Sequence, residues 1–214
     1  MGKLEDRWAA LCGRIGQSAD GGSRAGELFS ELELLYRTPG ARAYHGLHHV
    51  QACLDELDRV RDDFASRVDV DLAEWSLWLH DCVYIAGAKD NEERSAEVST
   101  RMLRVIGASV SLIESTNRMI IATKHTGETL DEASSLVADV DMSILGASPE
   151  LYNAYAAAIR EEFSFVDEAR YRAGRGAFLR GLLARERIYH TDSVFRRLES
   201  RSRANIAEEI ARLD

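Results

Sequence analysis

The stretch that decides the fold is YHGLHHVQACLDELDRV, residues 44–60. Its apolar residues recur three and four positions apart, at Val50, Leu54, Leu57 and Val60. This spacing places them on one face of an α-helix, whereas a half-buried strand would alternate at every second residue. We therefore predict a helix that buries this face.

Helical spacing of apolar residues continues through most of the chain, including residues 28–36, 112–123 and 152–163. Alternating, strand-like runs are nearly absent, and the chain contains only two prolines, Pro39 and Pro149. Because proline interrupts helices, this scarcity favours long, uninterrupted ones. Typical helix lengths then predict one all-α domain over residues 1–214, a bundle of about eight to ten helices.

Polar residues and a glycine stand where the ends of these helices are expected. Residues 71–74 (DLAE) and 90–93 (DNEE) each have the spacing of a capping box, in which a first-position side chain pairs with a glutamate three residues later. Ser148 before Pro149 predicts an N-cap and a first helical position. Gly107 separates two periodic segments and predicts a helix C-terminus.

Composition limits the location and the partners of the protein. The formal net charge of −9 disfavours binding to nucleic acid or to anionic lipid. The chain has neither an apolar run of membrane-spanning length nor the apolar core of a secretory signal. Three isolated cysteines, Cys12, Cys53 and Cys82, fit a reducing compartment. We expect a cytoplasmic protein that acts on a small molecule, with an exposed helix face able to support a homo-oligomer.

The opening stretch also concentrates histidine, since His45, His48 and His49 are half of the six in the chain. In a helix, His45 and His49 share one face, while His48 lies about 100° around from His49. Two imidazoles on one helix face can present nitrogen to a metal or a phosphate. Partly buried structural histidines follow the same pattern, so the alternative stays open.

Carboxylates occur in two strongly apolar segments. His80 and Asp81 end the first, LWLHDCVY, and the second, VADVDMSILGA, contains Asp139 and Asp141. Burying a carboxylate costs several kcal/mol unless its charge is compensated, by a divalent cation, an arginine or a helix cap. One of the two later aspartates would bind a metal and the other would orient a ligand histidine, and their spacing leaves the order open.

Taken together, His49, then His80 and Asp81, then Asp141 resemble the H…HD…D signature of the HD-domain superfamily of metal-dependent phosphohydrolases. The segment YHGLHH, residues 44–49, resembles the Y-H-N-x-x-H segment of cyclic-nucleotide phosphodiesterases in that superfamily. The later DMS resembles their D-L-S segment. This resemblance implies a helical HD-like bundle built around a metal site.

The resemblance extends over nearly the whole chain, which is similar to a bacterial family of predicted HD phosphohydrolases of unassigned substrate. Its further segments are DNEERSA (90–96), SILGA (143–147) and YRAGRGAFLRGLL (171–183). One departure is Gly46, which stands where the phosphodiesterase segment has asparagine. Cyclic-nucleotide specificity is therefore not carried over.

The resemblance implies four metal ligands: His49, His80, Asp81 and Asp141. They would bind one or two divalent transition ions, Mn, Fe, Co, Ni or Zn, because these ions suit mixed nitrogen and oxygen ligands. The ion would lower the pKa of a water molecule from about 16 toward 7. Asp81 would bridge ions or accept a proton, and His45 would protonate the leaving oxygen as a general acid.

Further residues would complete this site. Candidates for a second ion or for orienting a ligand are Asp139, His125 and Glu92, and candidates for binding the substrate phosphate are Lys124, Arg160 and Arg175. The expected activity is hydrolysis of a phosphate ester of a small molecule, with a nucleotide as the first case. The alternatives are an HD-type di-iron oxygenase, for which His125 would be an added ligand, and a non-catalytic metal- or nucleotide-binding regulatory module.

Overall fold

The computed structural model describes residues 2–16, 21–38, 42–64, 69–126 and 130–214, and every regular element in these ranges is helical. Ten α-helices and one 3-10 helix, η1, follow in this order: α1 Lys3–Ile15, α2 Gly21–Tyr36, α3 Leu47–Phe64, α4 Val70–Leu79, α5 Asn91–Val105, α6 Val110–Ala122, α7 Glu132–Asp141, η1 Met142–Gly146, α8 Pro149–Glu162, α9 Glu168–Leu183 and α10 Asp192–Leu213. The prediction of an all-α bundle of eight to ten helices is confirmed.

Helix α4 lies at the centre of the core. It contacts α1, α3, α5, α6 and α7, and all of its residues except Asp71 are buried. The rings of Trp75 and Trp78 pack against Trp8 of α1, with centroids 4.8 and 5.5 Å away. A helix that is apolar on all sides is stable only when other elements surround it. The residues that follow α4 therefore begin inside the bundle.

Two of the predicted helix ends are confirmed. The side chain of Ser148 accepts a hydrogen bond from the backbone N–H of Leu151, and Pro149 takes the first turn of α8. Gly107 follows the end of α5 with a φ of +78°, a left-handed conformation that glycine adopts without strain. At both places local chemistry accounts for the position at which a helix begins or ends.

The capping box predicted at residues 71–74 is wrong. The N-cap of α4 is Asp69, whose carboxylate accepts from the first turn, and Asp71 lies inside the helix. Glu74 is only 1% exposed and pairs instead with Arg7 of α1 and Arg61 of α3. A buried carboxylate requires such partners. Glu74 therefore ties three helices together rather than closing a helix end.

The 3-10 helix η1 follows α7 directly and packs against α10. A Cβ atom added to Gly146 would lie 2.7 Å from Cβ of Leu198 and 3.0 Å from Oγ of Ser202, so this approach requires glycine. Asp141 is the last residue of α7 and directly precedes η1, so the packing of η1 against α10 also helps to position Asp141. None of the helices in the described ranges combines the length and the hydrophobicity needed to cross a bilayer.

Candidate metal centre

The four predicted ligands meet at the ends of three helices. His49 lies in the first turn of α3, His80 and Asp81 directly follow α4, and Asp141 ends α7. Helix α3 contacts both α4 and α7. The packing of three helices thus brings together side chains that are up to 92 residues apart in the sequence.

The donor atoms of these side chains converge on one point. Nε2 of His49 lies 3.1 Å from Nε2 of His80, 2.9 Å from Oδ1 of Asp141 and 3.6 Å from Oδ2 of Asp81. Nε2 of His80 lies 3.0 Å from Asp81 Oδ2 and 3.3 Å from Asp141 Oδ1. Two ligands that each bind one ion at about 2.1 Å lie about 3.0–3.4 Å apart. These spacings therefore fit a shared ion.

The protonation of His80 favours a cation at this point. Its Nδ1 atom lies 2.9 Å from the carbonyl oxygen of Leu77, to which it donates. In the neutral ring the lone pair is then on Nε2, which faces the carboxylates of Asp81 and Asp141. A lone pair directed at two anions is repulsive unless a proton or a metal ion lies between them. The residues present therefore fit a bound metal ion.

The pKa shifts in the cluster point the same way. Burial lowers the pKa of His80, but attraction by Asp81 and Asp141 outweighs it and holds that pKa well above its ordinary value. Burial raises the pKa of each carboxyl, yet the nearby His80 ring brings the pKa of both Asp81 and Asp141 below the ordinary range. Each charge is stable only with its opposite, so the cluster requires a positive charge among its carboxylates.

Cys53 is a further donor beside these residues. His49, Cys53, His80 and Asp141 each bring one donor atom within 4.8 Å of the others, so this buried group could hold a metal ion. However, Sγ of Cys53 lies 3.7 Å from both ring nitrogens of His49. Equal distances show that the sulfur does not lie along the direction of the Nε2 lone pair, whereas Oδ2 of Asp81 lies 3.0 Å from Nε2 of His80. Cys53 and Asp81 are therefore both candidate donors.

His125 contacts the other side of Asp141. Its Nε2 atom lies 2.8 Å from Oδ2 of Asp141, whose Oδ1 faces His49 and His80. His125 has a φ of +55°, an uncommon conformation for a residue with a side chain, and Arg185 donates to its carbonyl oxygen at 2.7 Å. Strained backbone of this kind concentrates at functional sites. His125 therefore contacts Asp141 directly, and its role as a second ligand or an orienting residue stays a prediction.

Asp139 has a different role. Its carboxylate accepts the backbone N–H groups of His190 at 2.8 Å and Thr191 at 2.7 Å, and also the Thr191 hydroxyl at 2.6 Å. These bonds bind α7 to the start of α10 and satisfy a carboxylate that is fully buried. It is Asp141, and not Asp139, whose carboxylate contacts the histidines, so the contacts favour Asp141 as the last ligand.

His45 stands beside the cluster and is held by a residue that the sequence did not indicate. Its ring lies 6.0 Å from the ring of His49. Nδ1 of His45 is 2.5 Å from Oε2 of Glu162, the last residue of α8, and Oε1 accepts the backbone N–H groups of Tyr44 and His45. Burial raises the pKa of Glu162, but the bonds to His45 outweigh this and lower it. A stable carboxylate thus orients the imidazole.

Aromatic rings complete the setting of His45. The ring of Tyr84 stacks on it at 4.0 Å between centroids, nearly parallel, and Tyr44 lies 5.0 Å away in an edge contact. The Tyr44 ring is also 4.7 Å from that of His49. His48 is exposed, as expected of a residue rotated away from His49. The packing holds His45 in one orientation, with Nδ1 on Glu162.

Among the described residues, the two remaining candidates, Glu92 and Lys124, make no hydrogen bond or ion pair with the cluster. Burial raises the pKa of the half-buried Glu92, and the charge of Asp81 adds to the rise, so Glu92 stays a prediction. Lys124 pairs with Glu93 at the surface, where a phosphate would compete with that carboxylate. Asp90 is the N-cap of α5 as predicted, but its side chain makes no cap bond, so the capping box predicted at residues 90–93 is not formed.

Arg160 and Arg175 both have partners within the protein. The Arg175 side chain is 7% exposed and forms an ion pair with Glu209 at 2.8 Å. Arg160 donates to Glu168, to the carbonyl oxygen of Phe163 at 2.7 Å and to a second loop carbonyl. Their N–H groups are directed at partners within the bundle. These contacts disfavour a role for the two arginines in binding the substrate phosphate, which stays an untested prediction.

Comparison with known proteins adds no relative to this description. No family model, no curated protein and no solved structure matches the chain at a significant level. The site is therefore interpreted from its own geometry and chemistry.

Proposed function

We propose that this protein is a metal-dependent phosphohydrolase that cleaves a phosphate ester of a small molecule, with nucleotides as the first class to test. One observation carries the proposal: a buried set of nitrogen and oxygen donors lies beside an imidazole that a carboxylate holds in place. The donors are His49, His80, Asp81 and Asp141, and the imidazole is His45. A cluster that only stabilised the fold would not require an imidazole held in place beside it.

The cluster would hold the ion, and side chains of the protein would transfer the protons. A bound divalent transition ion would supply Lewis acidity and make a water molecule more acidic. His49 and His80 provide neutral nitrogen, which favours Mn, Fe, Co, Ni or Zn over calcium. The carboxylates of Asp81 and Asp141 provide the negative charge that retains the cation. Because His49 and His80 are at most 3% exposed, their imidazoles offer lone pairs that bulk water scarcely reaches.

His45 would act as the general acid. Hydrolysis forms a bond between water oxygen and phosphorus, and the water gives up a proton that Asp81 would accept. It also breaks the bond to the ester oxygen, which leaves with a proton. With Nδ1 of His45 held by the Glu162 carboxylate, Nε2 would carry the proton that the leaving oxygen receives. The stacked Tyr84 ring prevents the imidazole from turning away. Glu162 remains ionised while His45 gives up its proton.

The proposal is tested with tag-free protein that has been loaded with each of the five metals and assayed on a panel of phosphate esters, nucleotides included. We expect hydrolysis by the wild type and a loss of kcat of about 10²- to 10⁴-fold in His45→Asn, with the metal content unchanged. An exposed-histidine variant, His48→Asn, is the matched control and should resemble the wild type. Equal activity of His45→Asn and the wild type would contradict the assignment of the acid.

A second candidate function is favoured by His125. Because Asp141 directs Oδ1 to His49 and His80 and Oδ2 to His125, it could bridge two ions. Two irons at such a site would support oxygen chemistry in place of hydrolysis. Two irons per chain, with an absorption band that changes on reduction and no esterase activity, would favour this candidate. Metal and nucleotide binding without turnover would instead indicate a regulatory module.

A further inference from the structure

A cavity of about 550 Å³ opens beside the metal centre. Its wall includes His49 and Asp141 of the cluster, and it continues between α3, η1 and α10. Ligand sites for small molecules have volumes of about 300–1,000 Å³ and commonly lie between helices of a bundle. The cavity thus has the size for a small molecule and reaches the residues that would hold the ion.

The lining also contains three arginines, Arg59, Arg197 and Arg201, and Arg59 lies ten residues, or about 15 Å, along α3 from His49. Arg197 and Arg201 are four residues apart on α10 and therefore share one face of the helix. Their guanidinium groups offer paired N–H donors that match a carboxylate or a phosphate. No candidate from the sequence lies on this wall except His49 and Asp141, so these arginines form a new set.

Acidic residues on the wall leave part of this charge uncompensated. Glu56 is buried and pairs with both Arg59 and Arg197, which neutralises one of the two positive charges. Asp55 is exposed and accepts a bond from Gln51. Within the described ranges the Arg201 guanidinium has no carboxylate partner, and its one acceptor is the carbonyl oxygen of Gly146 at 3.3 Å. Arg201 therefore has donors available for an anion.

The rest of the lining is mainly apolar. It is formed by Tyr44, Ile144, Leu151 and Leu198, with Ala52 and Ala147. Apolar walls bind the body of a ligand, and the few polar groups at the ends fix its orientation. A molecule that filled this cavity would have one polar end at His49 and Asp141, an uncharged body, and a second polar end at Arg197 and Arg201.

We infer that this cavity binds the substrate, and that Arg197 and Arg201 bind a second anionic group of a small phosphate ester, either a carboxylate or a second phosphate. The inference rests on the proposed function for the hydrolysed phosphate, which would lie at the cluster. The anion site on α10 is separate from the cluster and can be tested without turnover. Arg59 and Glu56 hold Arg197 in position at this site.

The first test measures anion binding without metal. Inorganic phosphate is titrated by calorimetry into EDTA-treated wild type and into the Arg201→Gln variant. Two further variants are titrated in the same way: Asp81→Asn, which removes a metal ligand, and Arg196→Gln, which is the matched control on α10. We expect the wild type, Asp81→Asn and Arg196→Gln to bind alike, and Arg201→Gln to bind about tenfold more weakly or worse. No binding by the wild type, or equal binding by Arg201→Gln, would overturn the inference.

The second test uses turnover and a gentler variant. Arg197→Gln would leave buried Glu56 short of a partner, so Arg197→Lys is used, which keeps the charge and loses the paired donors. We expect both Arg197→Lys and Arg201→Gln to raise KM for esters that carry a carboxylate or a second phosphate, Arg201→Gln by about tenfold. Both should leave KM for p-nitrophenyl phosphate unchanged. Whichever ester class has the lower wild-type KM identifies the second group.

The outcomes separate the two proposals. If the wild type hydrolyses no ester, the proposed function fails, and the phosphate titration still decides on the anion site. If the wild type hydrolyses esters and both arginine variants match it on every substrate, the anion site fails alone.

Discussion

Nδ1 of His45 lies 2.5 Å from Oε2 of Glu162, although the two residues are 117 positions apart in the chain. Two backbone N–H groups donate to the other oxygen of the same carboxylate. This arrangement fixes the loop before α3 and the His45 ring in one contact. A histidine with only a structural role could have used any acceptor, but an imidazole that must gain and lose a proton benefits from a carboxylate.

Glu162→Gln is therefore predicted to lower kcat by about 10- to 100-fold while KM and metal content stay as in the wild type. The amide cannot stabilise a protonated His45, although it fills the same volume. Steady-state kinetics beside elemental analysis checks this, and Glu162→Asp should recover part of kcat. A rise in KM with kcat unchanged would show that Glu162 contributes to substrate binding and not to positioning the acid.

The same contact predicts a dependence of stability on pH. The pKa of Glu162 in the folded protein is below its ordinary value of 4.5, because bonds to His45 and two backbone groups outweigh burial. Its stabilisation is thus fully present above pH 4.5 and is lost as the pH falls through the lowered folded pKa. Denaturant unfolding of the wild type and Glu162→Gln should differ by about 1–3 kcal/mol at neutral pH. This difference in the free energy of unfolding should shrink in acid. A difference that stays constant with pH would contradict the stabilising role of the ionised Glu162.

The contact between η1 and α10 predicts a large effect of a small change. Gly146→Ala would place Cβ 2.7 Å from Leu198 Cβ, so the two helices must separate. We expect a loss of about 1–3 kcal/mol in the free energy of unfolding. Gly174→Ala in α9, where an added Cβ meets nothing within 4 Å, is the control and should stabilise the helix by about 0.5–1 kcal/mol. Thermal and denaturant unfolding measure both, and equal behaviour of the two variants would refute the steric argument.

His125 is predicted to orient Asp141 through Oδ2, the carboxylate oxygen that does not face His49 and His80. His125→Ala should weaken metal affinity by about 10- to 100-fold without changing the number of ions bound, because it removes the partner of Oδ2. Arg185→Gln, which removes the donor to the strained His125 carbonyl, should act in the same direction and less strongly. Titration with a competing chelator measures the affinity. A fall from two ions to one would instead make His125 a ligand of a second ion.

The helical architecture could be predicted from the sequence because it depends on local spacing. The stripe of Val50, Leu54, Leu57 and Val60 is buried as a helix face. The choice between Asp139 and Asp141 could not be predicted, because residues two apart on a helix point about 200° away from each other and only one can face the cluster. Which one does so depends on Thr191, 52 residues beyond Asp139.

Contacts between side chains on different helices could not be predicted either, because they depend on how the helices pack and not on local spacing. Arg175 had the chemistry of a phosphate ligand, but its partner Glu209 lies 34 residues later and is brought to it only by the packing of α9 against α10. Glu162 carried no signal of its role, since a glutamate at the end of a helix is usually solvated. Arg201 likewise reads as an ordinary surface residue until the cavity beside it is seen.

The most direct test of the central claim is the metal content of the purified protein, measured by elemental mass spectrometry without a histidine tag or a chelating column. The wild type is compared with Asp81→Asn, Asp141→Asn and the exposed control Glu208→Gln. We predict one or two transition-metal ions per chain in the wild type and the control, and none in the two aspartate variants. A wild type that stays metal-free after incubation with Mn, Fe, Co, Ni and Zn, or aspartate variants that keep the metal, would contradict the account.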